Sequence, residues 1–163
     1  MTAIATIREA LAAQVTTTTG LACLPYAPAT PVAPMAYIGA ADGQYVNFDV
    51  AMAQKLFTVS LKIGVLVTIN LLEHAQEEMD GYLDRSAGSI IAAVEADRSL
   101  GGIVSTVRVT GATGLDVVTA GGVEYGQCEV GVEVTATRDF GWLVHGIVHV
   151  WHLAGRWSSR GIG

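Results

Sequence analysis

Between Phe57 and Ile69 every odd position is apolar: Phe57, Val59, Leu61, Ile63, Val65, Val67 and Ile69. The even positions include Thr58, Ser60, Lys62, Gly64 and Thr68. A period of two over this length is incompatible with a helical stripe and predicts a long strand with one buried face. Such a strand needs partners at its edges and a layer to cover its apolar side. A second run, Val123–Thr135, repeats the pattern. Cys128, Val130, Val132 and Val134 point one way, and Gln127, Glu129, Glu133 and Thr135 the other. Before it, Leu115–Thr119 and the Ala120-Gly121-Gly122 turn give a hairpin signal. Gly64, in the middle of the first run, is expected to mark a bend or bulge.

The covering layer is legible as a change of period. Ile4, Ile7, Leu11 and Val15 recur at helical spacing, which predicts a helix over 3–14 capped by Thr2. The β-branched run Thr16–Thr19 and then Gly20 are expected to end it. Leu72, Ala75, Met79 and Leu83 predict a second helix with Glu73, Glu77 and Asp80 on its wet side, Met79 being core filling. A third follows over Ser89–Ala96, carrying Ile90, Ile91 and Val94. Short strands are expected at Met35–Ala40 and Tyr45–Asp49 around an Asp42-Gly43 turn, and another at Ile103, Val107 and Val109. Pro25, Pro28, Pro31 and Pro34 read as an ordered extended connector, with a polyproline ligand as the alternative. The fold class is α+β: a largely antiparallel or mixed sheet with helices packed on one face, plus a C-terminal extension. Residues 1–137 form the domain and 138–163 the extension.

Of the 163 residues, 51% are apolar and only 15% charged, against about 25% charged in a typical soluble domain. That content excludes disorder. A chain so poor in charge is expected to hide surface against copies of itself or a partner. The longest charge-free apolar stretch, Phe140 to Gly155, is broken by three His and is shorter than the ~20 residues of a spanning helix, so no membrane association is expected. The net charge of −6 argues against tight binding to a phosphate backbone. Cys23 and Cys128 are read as buried free thiols, and the N-terminus carries no secretory signal.

Chemistry-bearing candidates concentrate in the last 26 residues. His145, His149 and His152 would share one helical face, the spacing of a zinc site, but only Asp139 stands nearby and no HExxH pattern occurs. No nucleophile elbow or phosphate loop is present, so no catalytic, cofactor-binding or metal residue is assigned. The segment also holds all three Trp, and its local charge is +2, from Arg138, Arg156 and Arg160 against Asp139, while the rest of the chain is −8. Trp142, Trp151, Trp157 and Arg156 are the expected anchors of an interface with a neighbouring subunit, Trp and Arg being favoured in that role. Disorder and a membrane-surface segment are the alternatives. Its periodicity fits a helix (Val144, Val148, Trp151) and a strand (Val148, Val150, His152) alike.

Several segments in one order carry a family likeness. They are the N-terminal helix running into Gly20-Leu21, the Tyr26…Pro28…Pro34 connector with the alternating strand after it, Met79-Asp80-Gly81-Tyr82-Leu83, Ser89-Ile90-Ile91-Ala92-Ala93-Val94-Glu95-Ala96-Asp97 followed by Leu100-Gly101-Gly102, and Val107-Arg108-Val109-Thr110 leading to Gly122-Val123-Glu124-Tyr125. Over residues 1–137 the chain resembles the tail terminator proteins of long-tailed siphophages, especially those of actinobacteria. It departs from them at Arg98, where Pro would be expected, and from Arg138 onward. The resemblance implies a non-enzymatic structural protein of the virion, assembled in the bacterial cytoplasm. Six copies would form a ring on the head-proximal end of the tail tube, stop its polymerisation and present a surface to the head–tail connector. Phage DNA would pass through the lumen without specific binding. The implied partners are the chain itself, the tail tube protein and the connector proteins, and no cofactor is implied. The alternatives are another head–tail joining or tail tube ring protein and, in a different class, a small metal-dependent enzyme using the C-terminal His cluster.

Overall fold

The computed structural model describes residues 3–48 and 56–137. Helix α1 spans Ala3–Thr19 and is followed by strands β1 (Cys23–Leu24), β2 (Met35–Ala40), β3 (Val46–Phe48) and β4 (Leu56–Thr68). Helices α2 (Leu72–Leu83) and α3 (Ile90–Ala96) come next, then β5 (Thr106–Ala112), β6 (Asp116–Ala120) and β7 (Val123–Thr137). The fold is α+β: three helices and a curled, mixed seven-stranded sheet.

Two long strands make the centre. β4 and β7 pair antiparallel along their length, from Leu56↔Thr137 to Thr68↔Tyr125. Each is flanked by a strand broken in two. On the outer side of β4, β2 pairs with Leu61–Leu66 and β3 with Phe57–Val59. Both run antiparallel to β4, so the chain does not reverse at Asp42-Gly43. Residues 41–45 loop out and rejoin the same line, through Ala41 N–H to Ser60 O and Ser60 N–H to Tyr45 O. β5 and β6 line β7 in the same way, and Gly121 and Gly122, both at positive φ, close the β6–β7 hairpin. β1, which the alternation does not reveal, adds parallel to β2 at the edge.

The periodicity is realised as burial. The odd residues of β4 and Cys128, Val130, Val132 and Val134 of β7 form one core with Ile7, Leu11 and Val15 of α1, Met79 of α2, and Ile90 and Val94 of α3. All helices thus cover one face. The far half of β4 is buried on both faces, because Leu66 packs with Met35 and Tyr125 in a second cluster on the open side. There the Tyr125 hydroxyl donates to Pro31 O at 3.0 Å, which ties the proline connector across the sheet end.

Two local expectations are corrected. α1 does not stop at 14 but continues through Thr19. The Thr17 and Thr19 hydroxyls donate to Ala13 O and Val15 O one turn back, and Thr16 Oγ1 accepts from Cys23 N–H, so the β-branched run finds helical partners. Gly20, at φ +72°, ends the helix. The Thr2 cap lies outside the described residues. Gly64 marks no bulge, since the register runs unbroken through Tyr37↔Gly64↔Glu129. It is a seat for the Tyr37 ring, which a Cβ at this position would strike.

Candidate functional site

The uncovered face of the sheet gathers what the helices leave free. Lys62 of β4 and Glu129 of β7 are diagonal neighbours, because Lys62 faces Gly131 and Gly64 faces Glu129. Their charged groups meet at 2.8 Å with about a quarter of each side chain exposed, and Asp42 approaches Lys62 at 3.5 Å. Glu129 also accepts from Gln127 Nε2 at 2.9 Å, and Gln127 donates to the Tyr37 hydroxyl at 3.2 Å. The hydrogen bond to Glu129, more than the opposing effect of burial, holds the Lys62 ammonium above its ordinary pKa. Burial raises the Tyr37 phenol, and the Glu129 charge adds to it. Lys62 therefore stays cationic and Tyr37 neutral at neutral pH.

Lys62 and Glu129 floor a shallow cleft of about 390 Å³, walled by Asp42 on one side and by Thr110 and Thr113 on the other. The walls are the two strand breaks. One is the 41–45 loop; the other runs from the register shift of β5 at Thr110 to the interruption after β5, where Thr113 exchanges hydrogen bonds with the Glu129 backbone. Lys62 and Glu129 were legible as outward polar residues. Their meeting was not, because the alternation of a strand fixes its faces and not its register.

On the covered face the reactive groups are packed away. Burial pushes the Cys23 thiol up to about 12. Cys128 is also pushed up to about 12, by burial first and the neighbouring Glu129 charge second. Both remain protonated and enclosed in the core, the buried free thiols expected of Cys23 and Cys128. Arg8, which helical periodicity does not single out, is the one buried charged side chain among the described residues. Its guanidinium donates to Ile38 O (2.7 Å), Pro25 O (3.2 Å) and the Tyr45 hydroxyl (3.0 Å), and lies against the rings of Tyr26 and Tyr45. It stitches α1 to the start of the connector and to β2. Asp97 organises the loop after α3 by accepting from the Ser99 hydroxyl and from Gly101 N–H and Ser99 N–H, which lowers its pKa. Leu100 there adopts φ +49° and buries its side chain.

The third surface is apolar. At the sheet end that carries the β6–β7 turn, Leu71 and Leu72 are 60% and 58% exposed, and Val117 and Val123 are each 50% exposed. Val32 of the connector is exposed too, next to Pro31, whose carbonyl accepts from Tyr125. Val117 shares the face of Gly126 and Val123 that of Ala120 and Tyr125, so these exposed apolar side chains are divided between the two sides of the sheet end.

Trp142, Trp151, Trp157, Arg156, His145, His149 and His152 lie outside the described residues. Among the described residues no cluster of three His, Cys, Asp or Glu is arranged to hold a metal ion, and no helix is long and apolar enough to cross a membrane. No family model and no curated protein matches the chain.

Proposed function

We propose that this chain is a structural virion protein of the tail terminator kind. Its subunits close into a ring, six in number, on the head-proximal end of the tail tube. The ring ends tube polymerisation and offers the attachment surface for the head–tail connector, and the phage DNA passes through its lumen. No reaction is catalysed and no cofactor is used. The observation that carries this reading is the run of resembling segments in one order across residues 1–137.

Physical features support it. The helices cover one face of the sheet and leave the polar face with its cleft open. Several large apolar side chains also stand exposed at one sheet end. A subunit with distinct free surfaces suits a closed ring, which needs side contacts as well as contacts above and below. The acidic balance suits a conduit, since a basic lumen would retain DNA through its phosphates.

Electron microscopy of tails labelled against this chain tests the reading. A sixfold ring at the head-proximal end, with tubes overgrown when the chain is withheld, is the expected result. Label along the whole tube would make it a tube subunit, and label on the head connector alone a joining protein. Either outcome sinks the terminator assignment.

A further inference from the structure

Asp42-Gly43 and Asp80-Gly81 are the two Asp-Gly pairs of the sequence, and the fold gives them opposite settings. Such a pair is open to attack of the glycine main-chain nitrogen on the aspartate carboxyl carbon. Glycine permits the approach best, having no Cβ to obstruct it and a backbone free to turn. The attack also needs a carboxyl group free to rotate and a nitrogen whose N–H is not engaged. Asp42-Gly43 meets these needs in the 41–45 loop. The Asp42 side chain is 91% exposed, and its carboxylate is held by Lys62 at 3.5 Å, the far limit of a hydrogen bond. Lys62 is committed more closely to Glu129, at 2.8 Å. Gly43, at φ +89°, donates its N–H to no described residue, and a Cβ there would meet nothing within 4 Å. Asp80-Gly81 lies inside α2, where the helix fixes the backbone and ties the Gly81 N–H one turn back.

We propose that Asp42 is a site of spontaneous covalent modification, converting to isoaspartate in the folded chain, and that Asp80 is protected from the same reaction. The Gly43 nitrogen bonds to Cγ of Asp42, the amide proton and the carboxyl OH leave as water, and a five-membered succinimide closes. Water then adds to one of its two carbonyl carbons. Addition at Cγ restores aspartate. Addition at the main-chain carbonyl carbon breaks its bond to the Gly43 nitrogen and leaves the chain running through Cβ and Cγ. One water is lost and one gained, so mass is unchanged and nothing is oxidised or reduced. The remaining carboxylate then sits directly on Cα, with a shorter reach towards Lys62, and the main chain is one atom longer. Ala41 N–H to Ser60 O and Ser60 N–H to Tyr45 O bracket the loop and confine that extra atom to it. The modification thus remodels one wall of the cleft and leaves the sheet in place.

Prolonged incubation of the full chain at pH 7 tests the proposal, once in buffer and once in urea, where the fold no longer distinguishes the two pairs. Digestion and electron-transfer fragmentation, which marks isoaspartate by cleavage of its Cα–Cβ bond, then read both positions. The ratio of isoaspartate at 42 to that at 80 should be about one in urea and about tenfold or more higher in the folded chain, a barrier difference of about 1.4 kcal/mol or more. Asp42→Glu, which keeps the carboxylate but would need a six-membered ring, should abolish the signal at 42 in both states. Isoaspartate at 42 in urea but not in the folded chain would overturn the proposal, because the loop would then protect the pair. Equal accumulation at 42 and 80 in the folded chain, or none at 42 in either state, would overturn it as well.

Discussion

Val65 is the sharpest test of the sheet's two faces. It is fully buried on the helix-covered side of β4, between Ala36 of β2 and Cys128 of β7. Val65→Asp removes a buried valine, worth about 1.5–3 kcal/mol. The new carboxyl must also stay neutral in the core, and holding a proton at pH 7 against an ordinary pKa near 3.9 costs about 4 kcal/mol. The loss is about 6 kcal/mol, of the order of the whole stability of a small domain. Lys62→Met on the open face removes an ion pair whose partners are both partly exposed, a loss of about 1 kcal/mol or less. It is a cleaner control than Lys62→Asp, which would set a carboxylate against Glu129 and Asp42. Urea unfolding followed by circular dichroism measures both. The pH dependence is diagnostic. With its folded pKa raised, the introduced Asp does no electrostatic harm below about pH 4, where both states are protonated. Its harm grows as pH rises towards the folded pKa, so the deficit of Val65→Asp should be about 2.7 kcal/mol smaller at pH 5 than at pH 7. Equal losses from the two variants, or a Val65→Asp deficit flat between pH 5 and 7, would refute the assignment of faces.

Arg8→Met should destabilise by about 2–4 kcal/mol in the same assay, because it leaves the Ile38 and Pro25 carbonyls without their donor; a loss under 0.5 kcal/mol would mean water replaces it freely. Ser89→Ala should lose about 1 kcal/mol, since the buried Ser89 side chain accepts from Ala92 N–H at the start of α3. Cys23 and Cys128 should resist a thiol-specific disulfide reagent at pH 8 until urea unfolds the chain. With each thiol pushed up to about 12, only about one in ten thousand is thiolate there, and rapid labelling of the folded protein would contradict their burial.

The alternation of Phe57–Ile69 and Val123–Thr135 determined by itself that this chain builds long strands with one apolar face, and the change to helical spacing at Leu72, Ala75 and Met79 determined that helices cover it. Side-chain direction repeats every two residues in a strand and about every 3.6 in a helix, so hydrophobic pattern reports both facts locally. The Gly121-Gly122 turn was legible for the same reason, being short-range chemistry. What lies between distant residues was not. That β4 pairs with β7, that β2 with β3 and β5 with β6 are each one interrupted line, and that Lys62 meets Glu129 all depend on register, which faces alone leave free. Thr16–Thr19 read as a helix end because β-branched residues are poor helix formers, yet their hydroxyls found carbonyls one turn back and the β1 backbone beyond. Gly64 read as a kink because a strand glycine has several uses, and only the Tyr37 ring lying over it selects among them. Arg8 is not singled out by the periodicity of its helix. Its burial follows from three acceptors and two tyrosine rings drawn from up to 37 residues away, a cage that exists only once the chain has folded.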